Sequence, residues 1–464
     1  MDLLDSEQGF RTQGLKGFGG IGSICRHGWG PCVSVAVAVL VIALGPAGPA
    51  EGAEPEAGSS SLLNRRVVQK ENNFTLHIED RVVDRGRVIH IYRVEQVNGP
   101  WLWIRSESNG FRGWALADRV VPVEDGIAFF SNQIEANPRD VFSLTMRALL
   151  WQDRREIDRA LADFDAALQI DPDEGWVFND RGILHFERND YEKALADFDA
   201  ALRLEPTNAN VYNNRGSVRR AMKLYDVAIG DFNEAIRLNP KYEYAYFNRG
   251  LAWADKKEYD RAIADFDMVV RLDSTDPLTY YHRGLAWGAK NDHVRAIEDF
   301  TKALKLGGMM AFVYVDRGRE RAASKDYPGA IRDFDRALRL DPMNARVLYW
   351  RGLARLENKE FDKALADYER AIRIDPGFDE VYLSRAWILA SCPNAQLRDP
   401  KKAVESATRA CELTHWHAAH DIGGLAAVYA ETGNVAAALK WHAKAIELMT
   451  ASGGQVAEQA SFNH

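Results

Sequence analysis

The sequence has no excess of basic residues and few long apolar stretches. Lys and Arg number 59 against 67 Asp and Glu, which leaves a net charge of −8 at pH 7. A protein dedicated to nucleic acid needs a basic face, so this balance excludes that class and we expect no nucleic-acid partner. The apolar run from Val33 to Leu44 is shorter than the roughly 20 residues that a membrane-spanning helix needs.

The motifs that carry common enzyme chemistry are also missing. The sequence contains no nucleophile elbow, no phosphate-binding loop and no paired-cysteine motif. His415, His417 and His420 lie close together, but only His417 and His420 share a helical face and no carboxylate stands at helical spacing from them. We therefore predict no metal site, no cofactor and no enzymatic activity.

The N-terminal region has the three parts of a secretory signal. Basic residues precede the apolar run of residues 33–44, and the small residues from Gly45 to Ala50 follow it. We predict a signal peptide over residues 1–50, cleaved after Ala50, and a protein that is exported to the periplasm or secreted. The alternative is an uncleaved membrane anchor formed by residues 33–44.

Cysteine is scarce, with four residues in the whole chain. Cys25 and Cys32 would leave with the signal, and only Cys392 and Cys411 would remain. Two alternatives stay open for this pair. An oxidising compartment would allow a disulfide worth roughly 3 kcal/mol, whereas two unpaired thiols would simply pack between helices.

A β-rich segment follows a linker of residues 51–62 that is rich in Ala, Glu, Gly and Ser. Short runs of alternating apolar and polar residues occur within residues 63–123. Asn98-Gly99 and Asn109-Gly110 each lie between successive runs. Asn-Gly between alternating runs is a strong hairpin signal. The strands therefore predict a small all-β module over residues 63–123.

The closing Gly113-Trp114 strand resembles bacterial Src-homology-3-like barrels over about fifty residues. The resemblance implies a small barrel whose core needs large side chains, and we assign Trp103 and Trp114 to that core and rim. Trp101 is left as the candidate for the barrel surface. A surface tryptophan could stack on the sugars of a cell-wall glycan.

The rest of the chain repeats itself every 34 residues. Eight arginines recur at this spacing: Arg147, Arg181, Arg215, Arg249, Arg283, Arg317, Arg351 and Arg385. Gly follows six of the eight, from Gly182 to Gly352. Sixteen residues after each of the first seven comes an Asp, from Asp163 to Asp367, and an aromatic residue always follows that Asp. Such a register identifies a repeat architecture.

Each unit contains two segments with apolar residues at helical spacing, separated by a charged turn. The pattern resembles the tetratricopeptide repeat family over roughly residues 124–448. The resemblance implies a mainly α fold, a superhelix of helix–turn–helix units that follows the β module. We predict a half-repeat joining helix at 124–140, eight repeats and a degenerate ninth at 141–448, and a polar tail at 449–464.

The Arg and Asp columns have a structural and a functional interpretation. A basic stripe could bind a ligand, but an Arg on the first helix and an Asp on the second, repeated in phase, are best explained as bidentate pairs within or between repeats. We predict that these columns hold the stack together.

The resemblance implies that the first helices line a concave groove. Its positions in this chain are mostly aromatic: Trp176, Asn179, Asn213, Tyr244, Phe247, Tyr281, Phe312 and Tyr349. Such a groove suits an extended apolar peptide or a partner helix, and the alternative for each residue is packing between helices. We therefore predict a non-catalytic scaffold that binds proteins or peptides. The alternative is an envelope protein that binds cell-wall glycan through the barrel.

Overall fold

The computed structural model describes residues 59–71, 76–78, 81–84, 91–107 and 112–451. The predicted signal peptide, residues 51–58 of the linker and residues 452–464 of the tail lie outside the described residues. The described chain divides into two compact units, the first ending at residue 257 and the second beginning at residue 258.

The first unit opens with an antiparallel β-sheet. After a short 3-10 helix, Ser59–Leu62, the strands are β1 (Arg66–Gln69), β2 (Leu76–Ile78), β3 (Arg81–Asp84), β4 (Ile91–Asn98), β5 (Trp101–Ser106), β6 (Arg112–Leu116) and β7 (Val120–Pro122). Their order in the sheet is β3-β2-β6-β5-β4-β1-β7. No pairing joins the end strands β3 and β7 among the described residues, so closure into a barrel stays a prediction.

Helices in pairs follow the sheet. In the first unit they are α1 (Val123–Ala136), α2 (Val141–Asp153), α3 (Ile157–Ile170), α4 (Gly175–Glu187), α5 (Tyr191–Leu204), α6 (Ala209–Ala221), α7 (Tyr225–Leu238) and α8 (Glu243–Asp255). The predicted mainly α architecture with a small β module in front of it is confirmed.

The second unit continues the same pattern. Its helices are α9 (Tyr259–Leu272), α10 (Pro277–Ala289), α11 (His293–Gly307), α12 (Ala311–Ala323), α13 (Tyr327–Leu340), α14 (Ala345–Glu357), α15 (Phe361–Ile374), α16 (Asp379–Ser391), α17 (Pro400–Leu413), α18 (Ala419–Glu431) and α19 (Val435–Ala451). Repeat eight has an insertion between α16 and α17, after Ser391, and this segment contains a short 3-10 helix, Ala395–Leu397.

The sheet is docked on the first helices of its own unit. Val68 and Val121 from the sheet pack in one buried cluster with Phe130 of α1 and Met146 and Leu150 of α2. The Arg66 guanidinium makes two hydrogen bonds to the Asp153 carboxylate, of 2.8 and 3.0 Å. The sheet and the start of the helical array therefore share one core.

Inside a repeat, the aromatic residue of the second helix fills the space left by the glycine of the first. Phe198, Phe232, Phe300 and Phe334 are essentially fully buried. A Cβ added at Gly182, Gly216, Gly284 or Gly318 would lie 2.7–2.9 Å from the nearest ring carbon of that aromatic residue. Since carbon atoms pack at about 3.5–4.0 Å, only glycine permits this approach.

Candidate functional site

The Arg and Asp columns form bidentate pairs between the two helices of a repeat. The Arg Nη2 lies 2.5–2.7 Å from Asp Oδ1, and Nε lies 2.8–3.2 Å from Oδ2. Six repeats have this geometry, with Arg147, Arg181, Arg215, Arg283, Arg317 and Arg351 as donors. The pairing predicted for these columns is confirmed there.

The same guanidinium also reaches the preceding repeat. Its Nη1 donates to a residue 16 positions before the arginine, which is Ser131, Asp165, Asp199, Asn233, Asp267, Thr301 or Asp335. Each arginine therefore joins two second helices. These hydrogen bonds raise the pKa of the Arg181 guanidinium above its ordinary value, chiefly through Asp197. From Arg147 to Arg351, the column arginines are engaged in these internal contacts, so this described part of the column does not form a free basic stripe for a ligand.

Three of the predicted groove residues of the first unit are buried, namely Asn179, Asn213 and Phe247. The side-chain amides of the two asparagines contact the next repeat. Asn214 Nδ2 donates to Asn179 Oδ1 at 3.0 Å, and Asn248 Nδ2 donates to Asn213 Oδ1 at 2.9 Å. These contacts correspond to the packing alternative, so these side chains offer little surface to a partner.

The remaining two groove positions of this unit are half-buried. Trp176 donates from Nε1 to the Glu174 carboxylate, and the Tyr244 ring meets the Tyr242 ring edge-on at 5.9 Å. Asp180 directly follows the groove residue Asn179 in the chain and accepts a hydrogen bond from Asn179 Nδ2 at 3.0 Å. Its burial raises the pKa of the carboxyl to about 7.

The predicted groove residues of the second unit, Tyr281, Phe312 and Tyr349, are half-buried aromatics. Tyr281 meets Phe312 edge-on at 4.9 Å and donates from its hydroxyl to Asp316 Oδ2 at 2.8 Å. Tyr349 meets Phe378 at 5.2 Å. Tyr281 and Phe312 are therefore neighbours on consecutive first helices, and Tyr349 packs on the residue that precedes the next first helix.

An exposed aromatic that the pattern did not single out lies on the first helix of repeat eight. Trp387 is 45% exposed and follows Leu383, the counterpart of Tyr349, by four residues. Residues four apart share a helical face, so Trp387 lies on the same face of its helix as the groove position Leu383. The signal in the sequence was an aromatic one turn after the repeating groove position.

The tryptophans of the sheet differ from the prediction. Trp101, expected at the barrel surface, is only 7% exposed. It starts β5 and is paired with Leu116 of β6. Trp103 and Trp114 are instead the half-buried pair, directly opposite each other with ring centroids 5.3 Å apart.

Cys392 and Cys411 are free, buried thiols. They belong to two different apolar clusters, as in the packing alternative, and burial raises the pKa of the Cys411 thiol to about 12. His415, His417 and His420 are exposed. In the described part of the chain, no group of His, Cys, Asp and Glu is placed to hold a metal, and no helix is long and apolar enough to cross a membrane.

Comparisons with known proteins agree with this repeat. A tetratricopeptide repeat model matches residues 213–277 and 315–377, and a TPR repeat model matches residues 182–222. No curated protein gives a significant match.

Among solved structures, the chain is similar to the C-terminal part of a TPR repeat-containing protein from Cytophaga hutchinsonii. That match has 21% identity, covers 53% of this chain and 98% of the other, and has a TM-score of 0.46. YrrB, described as a TPR protein with an unusual peptide-binding site, has 26% identity over 38% of this chain and 91% of its own, with a TM-score of 0.33. Yeast Tom70 has 16% identity over 70% and 88%, with a TM-score of 0.36.

Proposed function

Taking the chain as a tetratricopeptide repeat protein, we propose that it is a non-catalytic scaffold that binds an extended apolar segment or a helix of another protein. Tetratricopeptide repeat proteins are usually non-catalytic and typically bind proteins or peptides. The observation that carries the proposal is that four first helices of the second unit each carry an aromatic residue that is half-buried or exposed, namely Tyr281, Phe312, Tyr349 and Trp387, and that the rings of the first two are in contact. We call these four residues the aromatic face. Aromatic side chains dominate the energetics of protein interfaces.

Trp387→Ala tests this assignment, because Trp387 is the most exposed member of the aromatic face. We expect affinity capture after crosslinking to recover specific partners with the wild-type chain and to lose them with this variant. Leu439→Ala is the matched control, since Leu439 is 65% exposed on the last helix. Equal capture by both variants would contradict the proposal.

A second candidate, glycan binding, rests on Trp103 and Trp114. Two half-buried indole rings on neighbouring strands offer a surface on which a sugar ring can stack. On this view the chain is retained by purified cell-wall glycan, and Trp114→Ala releases it while Trp387→Ala does not. If the Trp114→Ala variant is retained on the glycan as strongly as the wild-type chain, glycan binding through these two tryptophans is contradicted.

We propose further that the protein is exported, with residues 1–50 as its signal. The support is the order of basic residues, apolar run and small residues in that segment. N-terminal sequencing of the protein from its native cells is expected to begin at Glu51. A chain that keeps residues 33–44 and sediments with membranes would favour the anchored alternative.

A further inference from the structure

Repeat eight breaks the pairing that the other repeats share. Ala403 and Ala410 of α17 lie 39 residues after Ala364 and Ala371 of α15, so the insertion shifts this second helix by five positions. The position of Asp367 is therefore taken by Ser406, which is 1% exposed. Arg385 Nε donates to Ser406 Oγ at 3.0 Å, and that hydroxyl donates in turn to Tyr382 O at 3.0 Å.

Arg385 consequently lacks the partner that its counterparts have. In six other repeats a carboxylate accepts two hydrogen bonds from the arginine, whereas here a single neutral hydroxyl accepts one. Among the described residues no carboxylate lies within ion-pair distance of Arg385. A half-buried guanidinium has five N–H donors, and a planar carboxylate is the acceptor that fits two of them at once.

A cavity of about 250 Å³ opens beside this arginine. Leu365 and Leu389 form apolar walls, and Arg398 and Lys402 from the insertion and the start of α17 add two more cationic side chains. Since a water molecule occupies about 30 Å³ of liquid, the volume suits a small acidic group with a short chain.

Two carboxylates also line the cavity. Asp399 accepts a hydrogen bond from the Lys402 backbone N–H at 3.0 Å and lies 3.3 Å from Lys402 Nζ, so it is already engaged as a helix cap. Glu369 lies 16 residues before Arg385, is exposed, and makes no hydrogen bond or ion pair with Arg385 among the described residues. Arg385 and Arg398 remain as cationic groups whose charges these carboxylates do not neutralise by direct contact.

We propose that the cavity beside Arg385 binds a carboxylate supplied from outside the chain, which takes the place that an Asp occupies in the other repeats. The carboxylate accepts hydrogen bonds from Arg385 and is attracted by the charge of Arg398, which also lines the cavity. It comes either from a small free acid or from the carboxyl end of a peptide.

The full chain and fluoroacetate, observed by 19F NMR at constant ionic strength, test this site. Wild type is expected to broaden the fluoroacetate signal saturably, and acetate is expected to reverse the broadening. Competition by the tripeptide N-acetyl-Ala-Ala-Ala with a free carboxylate, but not by its amide, assigns the site to chain ends. Competition by acetate alone assigns it to small acids.

Ser406→Asp is the decisive variant, because it restores the internal carboxylate and should weaken fluoroacetate binding at least tenfold while the fold is kept. Arg385→Gln should do the same. Arg409→Gln removes an exposed arginine of α17, the helix that carries Ser406, and this variant should bind fluoroacetate as wild type does. Unsaturable broadening in wild type, or equal binding by wild type and Ser406→Asp, would overturn the proposal.

Discussion

In six repeats the first helix has a glycine, and the missing methyl group lets the second helix pack close. At Gly284 an added Cβ would lie 2.9 Å from Phe300 Cε1 and 3.3 Å from the Ala296 carbonyl oxygen. Gly284→Ala should therefore lower the free energy of unfolding by about 1–3 kcal/mol, as overpacking does. Urea denaturation measures this change.

Gly423→Ala is the control for that prediction. Gly423 lies within α18, and nothing lies within 4 Å of the position that its Cβ would take. Alanine there should raise the free energy of unfolding by about 0.5–1 kcal/mol, since only the entropy cost of glycine in a helix is removed. The same sign of change at both sites would refute the role given to the repeat glycines.

Asp180 predicts a pH dependence of stability. Burial raises the pKa of its carboxyl from 3.8 to about 7 in the folded chain. The folded state therefore holds the proton to higher pH than the unfolded state, and stability should fall as the pH rises from about 4 to about 7. Asp180→Asn should flatten that slope, and Asp173→Asn at an exposed site should not. Thermal midpoints measured across this range decide the matter.

At the scale of helices, Asp333 and Asp335 flank Phe334 of α13, and we expect their substitutions to lower the free energy of unfolding by very different amounts. Asp333 accepts from both Arg317 and Arg321 and is 1% exposed, so Asp333→Asn should cost about 3–5 kcal/mol by leaving buried charge unpaired. Asp335 accepts from Arg351 with its side chain 36% exposed, and Asp335→Asn should cost about 0.2–1 kcal/mol. Equal losses on chemical denaturation would refute the proposed hierarchy.

The sequence predicts contacts that recur at a constant spacing between unvarying residues. Arg351 and Asp367 belong to such columns, and their pairing could be expected from the period alone. The acceptors one repeat earlier vary among Asp, Asn, Ser and Thr, so the periodic signal is diluted at those positions.

The groove residues show where the period misleads. Asn179 and Asn213 are bound by residues 35 positions later, on the next first helix. That offset is one more than the repeat length and follows from how neighbouring helices face each other. These amides are therefore buried by contacts between consecutive repeats, and the sequence pattern of a single repeat does not predict such contacts.

At the scale of the whole molecule, the 34-residue period runs through residue 257 without interruption, although the structure divides there into two compact units. Periodicity reports local helix pairing, whereas the extent of a compact unit depends on contacts summed over many residues. The five-residue shift in repeat eight is visible in the sequence. Its consequence, a cavity beside an arginine without its aspartate, required the structure.

Site-specific photo-crosslinking tests whether the aromatic face of the second unit binds another protein. A benzophenone amino acid at position 387 would report contacts of that face, and the same group at Val294, which is 67% exposed on α11, would report a second-helix surface. We predict a discrete protein adduct from position 387 that unlabelled wild type competes away, and none from position 294. Identical adducts from the two positions, or no adduct from position 387, would contradict the account.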